Sequence, residues 1–399
     1  MYNTIKINDY VTYVGASDRR IALFENAYPV GNGMSYNSYL ISDEKTVLLD
    51  TCDSTVEKQF LENLSHALGD KALDYIIVNH MEPDHSASLA EVLQKYPAAT
   101  VIGTMQVPKM VQQFTGLDIA DRFNAVKEGD TLNTGSHTFR FIAAPMVHWP
   151  EVMMTYDETD RILYSADAFG RFGALSGNIF DDEASLWNGH LSSARRYYAN
   201  IVGKYGMQVQ ALLKKAVTLD IAMICPLHGP VLRTELGFYL EKYDKWSSYT
   251  PEDDSVMIAY GSVYGGTENA ADILAAKLAE KGVKNIRVYD VSKTHYSKIV
   301  AEAFRAKALV FAAPTIDGGL FTEMELVLNE IKSKNLANRT VGFIENGTWG
   351  PMAAKSMAAY FEGLKNMNIL ETKCTIRSTV TEANLAELEA MASAITESL

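Results

Sequence analysis

The segment Asn79-His80-Met81-Glu82-Pro83-Asp84-His85 packs histidine and carboxylate side chains into one short loop. Along an extended chain, side chains two apart share a face, so His80 and Glu82 can point at one place. Pro83 fixes its own backbone angle and biases Glu82 away from helix, which supports the extended reading. Asp84 and His85 follow the bend and can address a second place. Ser88 with Glu91 reads as a capping box that starts the next helix. One loop thus offers ligands to two metal ions. His148, Asp167 and His228 would complete two sites if Asp167 bridges, each ion then seeing two imidazoles and carboxylate oxygens. That set suits iron, manganese or zinc and lacks the thiolates of a closed structural zinc site. Glu82 and Asp84 are hard anionic donors that offset the charge of an ion cycling to Fe(III), so iron is favoured. His66, His137, His190 and His295 are read as structural or surface residues.

A second chemistry resides in AYGSVYGGTENAA, which lies directly after a strand and before a helix. Ser262, Tyr264, Gly265, Gly266 and Thr267 supply hydroxyls and bare backbone N–H groups at a helix N-terminus, which cradle a phosphate without a lysine. A nucleoside-triphosphate loop needs a Gly-Lys-Ser/Thr ending, and a dinucleotide site needs G-x-G-x-x-G; both are absent. One terminal phosphate, as on flavin mononucleotide (FMN), fits better. Two further strand-end loops agree, AAPTIDGGLF (Ala312 to Phe321) and ENGTWGP (Glu345 to Pro351), and Trp349 could stack on a flavin ring. The candidate FMN-binding residues are therefore Ser262, Val263, Tyr264, Gly265, Gly266 and Thr267 in the first loop. The second loop contributes Pro314, Thr315, Ile316, Asp317 and Gly318, and the third Asn346, Gly347, Thr348, Trp349 and Gly350.

The elements that must position these groups fall into two regions. The polar segment Trp246 to Ser255, with Pro251 and an acidic run, reads as a linker near residue 250. The expected domains are thus 1–250 and 251–399. After the linker, SVMIAY, NIRVYDV, ALVFAAP and RTVGFIE alternate with helical stretches, the signature of a doubly wound parallel sheet. Before it, the short strands TVLLD, DYIIVNH, TVIGT, FRFIAAPMVH, RILYSAD and IAMICPLH end in polar clusters that hold His80, His148, Asp167 and His228. Functional groups gather where strands end.

At 399 residues, 47% hydrophobic and 21% charged, the chain suits two globular cores. No secretory lead and no membrane span are expected. Cys52, Cys225 and Cys374 form no CxxC pair, so a reducing cytoplasm is the expected compartment. A net charge of −13 disfavours nucleic acid as a partner.

These motifs together, with HWP at His148, SADAFG around Asp167 and PLHGP at His228, resemble the flavodiiron proteins over nearly the whole chain. The resemblance implies a metallo-β-lactamase-like αββα sandwich followed by a flavodoxin-like doubly wound sheet. It implies one iron on His80, Glu82 and His148, a second on Asp84, His85 and His228, and Asp167 between them. The activity it implies is reduction of dioxygen to water or of nitric oxide to nitrous oxide. Electrons would pass through FMN from an external donor such as rubredoxin, in a head-to-tail homodimer or a dimer of dimers. Tyr197 or Tyr198, in ARRYYANI, would donate a hydrogen bond to the bound gas, with at least one of them only packing. Asp317 stands where asparagine is frequent in the family. The rival reading is a dinuclear zinc hydrolase with a flavodoxin-like regulatory module, which Glu82 argues against.

Overall fold

The computed structural model describes residues 1–183 and 189–399. Two compact units emerge, Met1–Tyr198 with Met207–Tyr243, and Ala199–Gly206 with Asp244–Leu399.

The first unit is built on two sheets. Seven strands pair in chain order from Ile5–Lys6 to Phe123–Ala125, antiparallel at first and parallel from Thr46–Leu49 onward. Five more, Thr131–Asn133, Thr138–Ala143, Met153–Asp157, Ile162–Tyr164 and Met223–Cys225, form the second sheet, also in chain order. Period-two alternation explains the layer between them: in Thr138–Ala143, Phe139 and Phe141 turn inward and Arg140 outward. They meet Tyr39, Ile41, Val47, Leu49 and Ile77 of the first sheet in one core. Thr46–Leu49 is buried throughout, and the helix Glu57–Leu68 adds buried Phe60, Leu64 and Leu68. Burying each large apolar side chain contributes about 1.5–3 kcal/mol. That layer offsets the strain of Asp50, Met146, Ala166 and Phe169, non-glycine residues held at φ of 50° to 67° beside the strand ends.

The second unit is a parallel sheet whose edge-to-edge order is Ile286–Asp290, Asp253–Tyr260, Ala306–Ile316, Thr340–Asn346 and Asn368–Ile376. Val256, Ile258, Val310 and Ile344 pack against Leu274 and Leu278 of the helix Gly266–Glu280 and Leu388 and Ile395 of the helix Glu382–Ser398. The order reverses between Asp253–Tyr260 and Ala306–Ile316, which opens a crevice at the carboxyl ends of the strands.

Three expectations change, and one strand was not foreseen. The helix Leu236–Ser247 and the strand from Asp253 leave only residues 248–252 between elements, and Trp246 is buried with its indole N–H donated to Glu252. Ser88 makes no capping box, because its hydroxyl donates to the Cys52 carbonyl instead. The second flavin-type loop is not a plain strand end. Its strand runs on to Ile316 and folds back through Gly319–Leu320, and Asp317 and Gly318, both at positive φ, make the tight turn. The strand Asn368–Ile376 went unread because charges alternate along its half-exposed face. Among the described residues, no helix is long and apolar enough to cross a membrane.

Candidate functional site

The strand Tyr75–Ile77 delivers His80, and the loop before it is clamped from a neighbouring strand. Asp50 Oδ1 accepts the amides of Asn79 at 2.7 Å and His80 at 3.1 Å, while Oδ2 accepts Asn79 Nδ2 at 2.8 Å. Glu82 is extended, at φ −58° and ψ 139°, and Pro83–Ser86 is one helical turn, so Asp84 and His85 leave on a new heading.

Two sets of side chains converge. In the first, Glu82 Oε2 lies 3.2 Å from His80 Nε2 and 3.0 Å from His148 Nε2, and Asp167 Oδ2 lies 3.2 Å from His148 Nε2. In the second, Asp84 Oδ2 lies 3.3 Å from His85 Nε2 and 3.1 Å from His228 Nε2, and Asp167 Oδ1 lies 3.1 Å from His85 Nε2. Asp167 thus turns one oxygen to each set. All seven sequence-derived candidates are brought together, and His66, His190 and His295 are not among them.

The donor chemistry of this cluster fits a pair of cations. His228 Nδ1 sits 2.6 Å from the Ser35 carbonyl, which only accepts, so Nδ1 carries the proton and Nε2 presents a lone pair. His80 Nδ1 sits 2.8 Å from buried Glu151 Oε1. Burial would raise the pKa of Glu151, yet His80 holds it below the usual range, so His80 Nε2 is left facing inward in the same way. Nε2 of His85 and Nε2 of His228 lie only 3.0 Å apart. Both oxygens of Asp84 and Oδ1 of Asp167 are buried without a hydrogen-bond partner. Lone pairs gathered this closely out of water repel unless positive charge lies between them. Without metal, protons serve. Burial opposes charge on His148, but Asp167 and Glu82 outweigh it and raise the ring to about 9. Glu82 is lowered to about 2 by His148 and His80 against its own burial.

Sequence reasoning missed Glu151, Ser35 and Asp50, which orient the ring of His80, the ring of His228 and the His80 loop. Glu151 follows HWP by one residue and was the most readable of the three. It also missed Glu25 on the Leu23–Pro29 hairpin, whose Phe24 ring stands edge-on to His228 at 5.5 Å. Glu25 is open to solvent as a whole residue, but desolvation of its carboxyl and repulsion from Glu82 raise its pKa to about 8. Tyr197 is buried, 5.4 Å ring to ring from His228, and its hydroxyl has no hydrogen-bond partner. Tyr198 packs on Tyr243 instead, at 5.1 Å.

In the second unit, Gly265 at φ +87° ends the first loop, and the helix from Gly266 has no side-chain cap, which leaves its amides for an anion. Ser262 Oγ accepts the Gly265 amide at 3.1 Å. A side chain on Gly266 would start 2.0 Å from the Ser378 carbonyl, so only glycine lets these loops close. Asn346 joins them, donating Nδ2 to Thr267 Oγ1 and to the Ser378 carbonyl, each at 3.3 Å. Thr315 Oγ1 accepts the Met352 amide at 2.8 Å. Tyr264 and Trp349 are 99% and 92% exposed, so both ring faces are open to a flat ligand. The uncapped amides and these open ring faces fit a flavin phosphate and its ring. Ser378, beyond the unread fifth strand, is the residue that sequence reasoning missed here.

Comparison with known proteins agrees with both halves. The family described as ODP family beta lactamase matches residues 34–229, and the flavodoxin family matches 258–391. An anaerobic nitric oxide reductase flavorubredoxin of Aliivibrio fischeri is 31% identical over 353 residues, 87% of this chain and 70% of that one. The structure of rubredoxin oxygen:oxidoreductase from Desulfovibrio gigas superposes with a TM-score of 0.92 at 27% identity, over 99% of each chain. The flavodiiron protein from Giardia intestinalis superposes with a TM-score of 0.93 at 25% identity, over 100% of this chain and 97% of that one. With a metallo-β-lactamase-like sandwich followed by a flavodoxin-like sheet, the chain belongs to the flavodiiron protein family.

Proposed function

We propose that this protein reduces dioxygen to water, nitric oxide to nitrous oxide and water, or both, using electrons that an external donor such as rubredoxin supplies through FMN. The observation that carries the reading is Asp167, whose two oxygens each face a separate histidine–carboxylate set. His80, Glu82 and His148 would hold one iron, Asp84, His85 and His228 the other, with Asp167 shared. The three loops at 262–267, 314–318 and 346–350 would hold FMN, in a domain from residue 251 onward that follows a metal-binding domain of 1–250. A head-to-tail homodimer would bring one subunit's flavin to the other's metal site.

Bound iron would supply electrons and open coordination positions for the gas, and bound FMN would supply the redox steps that restore those electrons. The chain's own residues do the rest. Glu151 and the Ser35 carbonyl hold the His80 and His228 rings in the tautomer that offers Nε2. Tyr197 keeps its proton, because burial and the charges of Asp167, Asp84 and Glu82 push its pKa well above the usual phenol value. Its unpartnered hydroxyl is therefore a hydrogen-bond donor available to a small ligand. Glu25, open to solvent on the hairpin whose Phe24 ring meets His228, is placed to relay the protons that gas reduction consumes.

The test is iron and FMN content, followed by anaerobic nitric oxide consumption and by dioxygen consumption, using the reduced protein and a rubredoxin. Iron, flavin and turnover of either gas support the reading. Zinc in the site with no gas turnover overturns it in favour of hydrolysis.

A further inference from the structure

A second convergence of ligand-type side chains lies in the first unit, at the end of the strand Met153–Asp157 and the turn that follows it. Asp43 anchors it. Its carboxylate accepts Ser136 Oγ at 2.7 Å, Thr134 Oγ1 at 2.9 Å and the His137 amide at 2.9 Å. Burial is outweighed by these bonds, which hold Asp43 well below the usual carboxylate range. An ionised carboxylate only accepts, so His137 Nδ1, 3.2 Å from Asp43 Oδ2, carries the proton.

His137 Nε2 then turns a lone pair toward two more carboxylates, Asp160 Oδ2 at 3.4 Å and Asp157 Oδ2 at 3.9 Å. Asp157 is fully buried, and its two oxygens are treated differently. Oδ1 accepts the amides of Thr159 at 2.9 Å and Asp160 at 3.3 Å, whereas Oδ2 has no hydrogen-bond partner. Asp160 Oδ2 also accepts Asn8 Nδ2 at 2.7 Å, and its side chain is 26% exposed, which opens the cluster to solvent on one side. Three lone-pair donors facing one another, one of them buried and unsatisfied, call for a cation among them. Zinc bonds to imidazole and carboxylate are about 2.0–2.2 Å, so the edges of a tetrahedron are roughly 3.3–3.6 Å. Two of the edges are 3.4 and 3.9 Å here, and the three ligand atoms lie within 4.8 Å of one another, so binding would draw the carboxylates inward. The Asp43–His137 hydrogen bond supplies the orienting carboxylate that metal-bound histidines ordinarily have.

The geometry points to a mononuclear divalent-cation site, separate from the Asp167 cluster, with His137 Nε2, Asp157 Oδ2 and Asp160 Oδ2 as ligands and a water-accessible fourth position. One imidazole with two carboxylates suits zinc, which binds such sites above manganese and ferrous iron. The site does not depend on the gas-reducing activity.

Iron-loaded protein is dialysed against Zn²⁺ in slight molar excess over the chain at neutral pH, and zinc and iron are counted by mass spectrometry. The expected result is about one zinc per chain with iron unchanged. D160N, on the exposed turn, and H137Q abolish the uptake without loss of iron, and D43N weakens it about 10–100-fold. In the unmutated protein, the His137 Nε2 resonance shifts on zinc addition in a ¹⁵N-histidine NMR spectrum. Uptake undiminished in D160N and H137Q, or a His137 resonance indifferent to zinc, overturns the assignment and leaves His137 a hydrogen-bonded bridge between carboxylates.

Discussion

Replacing Glu151 by leucine removes the buried carboxylate that fixes both the ring and the backbone of the first metal set. Glu151 Oε1 faces His80 Nδ1 and accepts the Met81 amide, both at 2.8 Å. Stranding that amide in the core costs about 1–3 kcal/mol of stability. Freeing the imidazole from its orienting partner lowers metal affinity about 10–100-fold, which is about 1.4–2.8 kcal/mol at 1.4 kcal/mol per tenfold. Glu151→Gln keeps an acceptor oxygen and the side-chain volume but loses the charge, so it falls near the lower end of that range. His228, in the other set, keeps its Ser35 carbonyl partner, and His85, whose Nδ1 is buried without a hydrogen-bond partner, loses nothing by the change. Chelator competition on the iron-loaded variant is therefore expected to release iron in two phases, with the ion on His80, Glu82 and His148 leaving first. Denaturant melts separate the stability term from the affinity term. A leucine variant that holds iron as tightly as the unmutated protein, or loses all of it in one phase, refutes the reasoning.

Gly266→Ala is expected to lower flavin content at least about tenfold while iron is retained, because the new Cβ would start 2.0 Å from the Ser378 carbonyl; absorbance and metal analysis on the same sample decide it. Tyr197→Phe leaves thermal stability within about 0.5 kcal/mol, since no hydrogen bond is lost, but slows gas consumption about tenfold or more, whereas Tyr198→Phe leaves turnover unchanged. Metal-free protein has a stability window to which two shifted groups contribute. His148, raised from 6.5 to about 9, contributes fully below pH 6.5 and loses its contribution as pH rises through about 9. Glu82, lowered from 4.5 to about 2, contributes fully above pH 4.5 and loses its contribution as pH falls toward about 2. Chelated protein should thus melt at a lower temperature at pH 9 than at pH 6. Iron-loaded protein, whose cations stand in for those protons, binds iron more tightly as pH rises. Equal melting of the chelated form at both values would contradict this.

The metal set was legible because its residues are chemically rare and cluster at strand ends. His80, Glu82, Asp84 and His85 announce themselves in one loop, and Pro83 fixes how that loop bends. What supports them was not legible. Glu151 and Ser35 work through contacts 71 and 193 residues apart in sequence, and no local period marks such pairs. Ser88 misled because a serine three residues before a glutamate is a capping signal only when its hydroxyl is free, and here the Cys52 carbonyl claims it. The Asp317-Gly318 turn was readable and overlooked, since that dipeptide between apolar runs marks a tight hairpin. Trp246 shows the limit of composition: a polar stretch can end in a buried indole once Glu252 satisfies its N–H. His137 reads as an ordinary structural histidine until the fold sets Asp43 behind it and Asp157 and Asp160 before it.

X-ray absorption at the iron edge of the iron-loaded protein tests the shared role of Asp167 most directly. The account predicts histidine and carboxylate scattering together with a second iron at roughly 3.5–4 Å, as in two-metal sites, and loss of the iron–iron feature in D167A. Isolated iron with no metal neighbour, or an unchanged pair in D167A, would contradict it.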